Sequence, residues 1–315
     1  MTLGPTSTAS DAVEALSSQI QGKNVLVTGT TIGGLGFETA RSIAKYANLV
    51  IITGYNDARL KAAADAIKQE FPGTGVRTLK LDLTSFEDVR RAAAEVLIHN
   101  ACAPFGPLVL TPDKLERQMQ VAYISPFLFT KLVKDKLLAA KTETYVPRVV
   151  VLGSLAHKMG KGEINLDGLA APLESEYDAH GRYQEAKTAD ILFAGELSRR
   201  SRGSISGTTL HPGLILTKNF SPDSESWDTL KALGIMLEDG SVNPAVPKEL
   251  FKSLEQGVAT IVVAAFDPSL DAVPGAYLED CVIAPTSPAE FATDPVIAAK
   301  LWVKTEEILG EKFVF

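Results

Sequence analysis

Three features of the sequence predict a single-domain α/β protein, a doubly wound parallel sheet in a three-layer sandwich. Short β-branched apolar runs, VLV at 25–27, LVII at 49–52 and RVVVL at 148–152, read as strands buried on both faces. Helical patterns separate them, with Ala40, Ile43, Ala44 and Ala47 at i, i+3, i+4 and i+7. Strand and helix then alternate to the end of a 315-residue chain that is 45% hydrophobic, enough for one large core.

In chain order, residues 1–22 read as a frayed lead-in with a short helix near Asp11–Ile20, and the main domain spans 23–315. Thr84 with Glu87 has the spacing of a capping box, Thr111 before Pro112 reads as an N-cap, and Ser253 with Gln256 forms a second box ahead of GVATIVVAAF. Two stretches break the rhythm. Residues 158–182 form a long loop, and 218–250 are irregular, with Pro222, Pro244, Pro247 and an amphipathic piece around Trp227–Leu237. Long insertions of this kind commonly serve function, so 218–250 is read as a substrate lid. Trp227, Leu230, Leu233 and Met236 are either its packing face or an apolar substrate wall.

With 31 basic and 38 acidic residues, the net charge of −7 gives no basic excess for nucleic acid. Cys102 and Cys281 lie far apart, and His99, His157, His180 and His211 show no HExxH spacing, so no disulfide framework or metal site is expected. The start has no basic region with an apolar run, and no stretch reaches the roughly 18 apolar residues of a membrane span. The expected location is the cytoplasm.

Chemistry first enters at TGTTIGGLGFETA (28–40). Glycines 29, 33, 34 and 36 between a strand and a helix allow a tight turn and close approach of a pyrophosphate to the helix N-terminus. The bland alternative is a packing turn. At the end of the second strand, where an acid would bond a ribose 2′-hydroxyl, the chain has Gly54 and Tyr55. Asp57 comes too late, and no Arg or Lys is adjacent in sequence. Loss of the carboxylate removes a repulsion against a 2′-phosphate, which points to NADP, with NAD the other candidate.

Tyr183 and Lys187, in YQEAK, share one helix face. A phenol titrates near 10, and a nearby cation favours the phenolate, which makes Tyr useful for proton transfer. Alone, such a pair is most often a surface contact. RVVVLGS, however, puts Ser154 at the C-terminal end of a strand, where α/β sheets bind ligands.

Together these motifs resemble the short-chain dehydrogenase/reductase family, whose fold is of the Rossmann type. TGTTIGGLG, Asp82, HNAC at 99–102, GS at 153–154, YQEAK and HPG at 211–213 occur in family order. INLDGL, YQEAKTADILFAGELSRR and GAYLEDC are most similar to fungal members of its retinol-dehydrogenase-like and WW-domain oxidoreductase-like branch. The resemblance implies that Ser154, Tyr183 and Lys187 are catalytic. It also implies a nicotinamide cofactor held by Gly29, Thr31, Gly34, Leu35, Gly36, Tyr55, Asp82, Leu83, Asn100, Ala101, Tyr183, Lys187, Pro212, Gly213 and Thr217. Through the apolar stripe on the YQEAK helix it implies a homodimer or homotetramer.

Three departures stand out. Ala122, in VAYISPF, occupies the place of the family's asparagine, which is thought to link Lys to solvent. His99 and Cys102 replace an Asn and a Gly. His99 is expected to satisfy local backbone, and His157 to be a solvent-facing loop residue. Asp82 and Asn100 are so close in sequence that the helix between them is expected to run about two turns. The expected activity is NAD(P)-dependent interconversion of a carbonyl and an alcohol, with NADPH reduction of an apolar ketone or aldehyde favoured. The alternatives are a catalytically weak dinucleotide-binding regulator and, last, an isomerase.

Overall fold

The computed structural model describes residues 2–90, 96–159, 164–217, 225–232 and 234–315. The first half contains α1 (Ala9–Ala15), α2 (Ser17–Ile20), β1 (Asn24–Val27), α3 (Leu35–Ile43), β2 (Leu49–Gly54), α4 (Asp57–Glu70), β3 (Gly75–Lys80), α5 (Phe86–Arg90) and β4 (Val96–His99). Next come α6 (Arg117–Met119), a π turn (Gln120–Ile124), α7 (Ser125–Ala139), β5 (Arg148–Leu152), α8 (Ala179–Arg200) and β6 (Ser206–His211). The chain closes with α9 (Glu225–Ala232), α10 (Leu254–Phe266), β7 (Tyr277–Glu279), β8 (Val282–Ile283), α11 (Glu290–Thr293) and α12 (Pro295–Leu309).

The strands form one sheet in the order β3-β2-β1-β4-β5-β6-β7-β8. All pairs are parallel except β7 with β8. Alternation along β1 shows why its VLV run is apolar throughout. Leu26 faces a core made with α7, α8 and α12, while Val25 and Val27 face a second core made with α1, α3 and α10. The order reverses between β1 and β4, which opens a crevice at their C-terminal ends.

Several local readings are corrected. The lead-in is not frayed. Ala9, Ala12 and Ile20 are fully buried, because α1 supplies apolar side chains to the core containing α10. Thr84 is not the cap of α5. Its hydroxyl donates to Asp82 Oδ1, and Ser85 Oγ instead accepts from Asp88 N. No helix begins after Thr111; the next one starts at Arg117, capped by Glu116, whose carboxylate accepts from Gln118 N and Met119 N. The box at Ser253 and Gln256 caps α10. The helix expected between Asp82 and Asn100 is described over Phe86–Arg90, and 91–95 lie outside the described residues. So do Leu233 and 218–224 of the 218–250 stretch.

The apolar stripe of α8 is covered within the chain. Leu192, Phe193, Ala194 and Leu197 join Leu301, Trp302 and Phe313 in one core. Phe127 packs between the rings of Trp302 (4.6 Å), Phe313 (5.3 Å) and Phe193 (5.5 Å). No helix among the described residues is long and apolar enough to cross a membrane.

His99, at the end of β4, satisfies a side chain rather than the backbone. Thr130 Oγ1 donates to Pro126 O, so it accepts from His99 Nε2, 2.9 Å away, and that nitrogen carries the proton. Burial drops the pKa of this ring to about 3. The folded protein therefore keeps it neutral while the unfolded chain protonates near 6.5, and stability is lost as pH falls below that value. Between pH ~7.5 and ~5 this one group removes about 2 kcal/mol. Urea unfolding at both pH values checks it: the wild type should lose about 2 kcal/mol more than His99→Gln, and equal losses refute the assignment.

Candidate active site

The turn after β1 is fixed by the turn after β4. Asn100 Nδ2 donates to Thr28 O (2.8 Å) and Gly29 O (3.1 Å), and the amides of Asn100 and Ala101 both donate to Thr28 Oγ1 at 3.0 Å. Gly29 has φ +71°, and a Cβ there would lie 2.9 Å from Ala101 Cα. Gly34 N closes the loop on Thr31 O at 3.1 Å. Gly34 is also the N-cap of α3 and supplies no side-chain bond to its first turn. Leu35 opens the helix with its amide unclaimed by any cap, followed by Gly36. A bare backbone cradle at a helix N-terminus fits a pyrophosphate.

Beside it, β2 ends in Gly54, and Tyr55 is 63% exposed. Although no cation is adjacent in sequence, the sheet supplies one. Lys80 is the register partner of Gly54, and its Nζ pairs with Asp57 Oδ2 at 2.8 Å. Asp82 has Oδ1 fixed by Thr84 N at 2.8 Å, and Leu83 O accepts from Ser125 Oγ at 2.7 Å. Both follow β3 directly, on the C-terminal edge of the sheet.

On the other side of the crevice, Ser154 follows β5, while Tyr183 and Lys187 lie on the first half of α8. The structure brings the three together. Ser154 and Lys187 both lie close enough to the Tyr183 phenol to lower its pKa, with Lys187 Nζ 5.7 Å from the phenol ring centre. Phe105 packs on the Tyr183 ring at 4.7 Å. The electrostatics differ from the simple expectation. Burial raises the phenol pKa, and the lowering by Lys187 and Ser154 does not offset it. Burial works most strongly against the Lys187 ammonium, but the facing Asp190 carboxylate together with Tyr183 and Cys102 outweighs it and holds that pKa above the ordinary lysine range.

Ala122 sits in the π turn ahead of α7, with only a methyl group to offer. Cys102 is exposed, within electrostatic reach of Lys187, and its pKa is raised by the cleft around it. His157 is not solvent-facing. It is fully buried, and Ala289 N donates to its Nε2 at 3.2 Å, so Nδ1 carries the proton and donates to Ser154 O at 2.5 Å. The ring is a neutral strut under the serine turn.

Residues after β6 complete the wall. A cavity of about 330 Å³ runs from Gly33 to Leu214, Leu216, Thr217 and Lys252. Gly213 has φ +93° and packs against Lys252, and Pro212 O and Leu35 both approach Gly257 of α10. Sequence reasoning missed Lys80, Phe105, Asp190 and Gly257. Only Asp190 had a local signal, its place three residues after Lys187 on one helix.

Comparison with known proteins gives a consistent picture. The profile of the short chain dehydrogenase family matches residues 23–165. The chain is 33% identical to a Danio rerio WW domain-containing oxidoreductase, over 96% of this chain and 72% of that protein. It is 31% identical to a Brassica napus chloroplastic short-chain dehydrogenase, TIC 32 B, over 95% and 92%. Among solved structures, an uncharacterized protein from Mycobacterium Paratuberculosis aligns with TM-score 0.70 and 25% identity, over 95% of this chain and 98% of that one.

Proposed function

This chain belongs to the short-chain dehydrogenase/reductase family of NAD(P)-dependent oxidoreductases, and on that premise we propose that it reduces an apolar ketone or aldehyde with NADPH. The observation that carries the reading is the convergence of Ser154, Tyr183 and Lys187 in one cleft, across from a bare glycine turn.

In this reading the backbone of Gly29, Thr31, Gly34, Leu35 and Gly36 receives the cofactor phosphates. Tyr55, Asp82 and Leu83 line the adenine side, Asn100 and Ala101 the ribose, and Pro212, Gly213 and Thr217 the nicotinamide. When bound, the nicotinamide supplies the hydride. Ser154 donates a hydrogen bond to the carbonyl oxygen, Tyr183 gives that oxygen its proton, and Lys187 holds a ribose hydroxyl while its charge stabilises the phenolate left behind.

Burial raises the Tyr183 pKa, so the phenol keeps its proton at neutral pH, the form that a reduction consumes, which supports assaying the reductive direction there. An apolar substrate is supported by Phe105 against the phenol and by Met159, 59% exposed on the turn after Ser154. NADPH is supported by Gly54, which leaves no carboxylate at the ribose edge, and by Lys80 beside it.

The test is a panel of apolar ketones and aldehydes with each cofactor, followed by nicotinamide absorbance. Turnover should favour NADPH, and Lys80→Ala should cut that preference about ten- to a hundredfold while leaving NADH rates alone, as loss of one charge-assisted bond costs roughly 1.5–3 kcal/mol. NADPH binding without turnover of any carbonyl would establish the regulator instead.

A further inference from the structure

We propose that Asp190 is a positioning residue of this site: its buried carboxylate seats the Lys187 ammonium and sets how strongly that cation supports the Tyr183 phenolate. The inference rests on the reductase reading of the same cleft and adds a residue to it.

Asp190 is 1% exposed and lies one helical turn beyond Lys187, with Oδ2 2.9 Å from Lys187 Nζ. The same ammonium donates to Leu152 O at 2.6 Å, at the end of β5. Nζ has three protons. Two are therefore committed to fixed acceptors on α8 and β5, and the third is left to point into the cleft. Lys187 is itself only 4% exposed, and a buried cation without a partner either loses its proton or leaves the site. Ala122 offers no polar side chain from the π turn, so the helix that carries the lysine also carries its anchor.

The carboxylate has a second effect. Its negative charge opposes Lys187 at the phenol and adds to the rise in the Tyr183 pKa. Burial lifts Asp190 itself to about 6 against the pull of Lys187, so it stays mainly ionised above neutrality. Among the described residues, the titratable groups that feel Asp190 are Tyr183 and Lys187 on its own helix, Cys102 from the loop after β4, and Tyr123 from the π turn. From β5 the neighbours are a carbonyl, Leu152 O, and the neutral Ser154 hydroxyl. An uncharged acceptor at 190 that still holds the Lys187 ammonium leaves that cation at the phenol while removing the opposing charge, so the net effect on Tyr183 is downward.

The experiment compares Asp190→Asn, Asp190→Glu and wild type by kcat against pH for reduction, with the NADPH Kd measured separately. Asn keeps an oxygen that accepts from Lys187 but removes the charge. Reduction needs protonated Tyr183, so the alkaline limb should move to lower pH, with Kd within about threefold. Glu keeps the charge on a longer stem, so the limb should stay in place while kcat falls about tenfold through misplacement. A merely structural residue would move kcat and stability but not the limb. A limb unchanged in Asp190→Asn overturns the inference, as does a displaced limb in Asp190→Glu; where the Asn variant does not fold, Asp190→Thr, which also keeps an acceptor oxygen without the charge, is read by the same limb. Failure of wild type to reduce any carbonyl overturns the reductase reading instead, so the two failures are distinct.

Discussion

Tyr183→Phe is expected to lower kcat for carbonyl reduction by about 10²–10⁴, the range spanned by a positioned general acid. The substitution removes the phenolic oxygen and little else. The ring stays packed on Phe105, 4.7 Å away, so fold and cleft shape are retained. Ser154 keeps its place through Ala156 N, which donates to its Oγ at 3.2 Å, and through the His157 bond to its carbonyl. NADPH affinity should therefore change by less than about threefold. The residual rate should also lose its alkaline limb, because no phenol remains to titrate. Steady-state rates across pH, paired with a cofactor titration, separate this outcome from the bland reading of the tyrosine–lysine pair as a surface contact. Turnover at the wild-type rate would remove Tyr183 from the chemistry.

How far the sequence carries can be judged from where its signals are local. The runs at 25–27 and 149–152 identify β1 and β5 because strands buried on both faces carry near-continuous apolar runs. The glycine turn and YQEAK are equally local, since one requires a small residue at fixed offsets and the other a helical repeat. What escapes depends on contacts between distant segments. Lys80 reaches Gly54 only through strand register, and His157 is held by Ala289 and packed on by Tyr277, both far along the chain. The covering of α8 by Trp302 and Phe313 comes from the far end of the chain, so an apolar stripe that reads as a subunit contact serves an internal core. The misplaced cap at Thr84 has a different cause. Asp82 competes for its hydroxyl, and the next residue, Ser85, takes over the helix start.

Gly36→Ala is expected to weaken NADPH binding by about five- to a hundredfold, the ~1–3 kcal/mol that overpacking a tight site costs. A Cβ at this position would lie 2.4 Å from Asn100 Nδ2 and 2.6 Å from Gly29 O, and neither atom is free to move. They are bonded to each other at 3.1 Å, and the same Asn100 nitrogen also holds Thr28 O. Displacing Asn100 detaches the turn after β4 from the turn after β1, whereas displacing Gly29 opens the cradle itself. Either way the amides at the start of α3 no longer face a common anion. Gly195→Ala is the matched control. It lies on α8, a Cβ there meets nothing within 4 Å, and by helix propensity it should stabilise the protein by up to about 1 kcal/mol without touching the cofactor. Isothermal titration of both variants with NADPH tests the pair. If Gly36→Ala binds as tightly as Gly195→Ala, the cofactor does not lie on this turn, and the phosphate site must be sought on another face of the sheet.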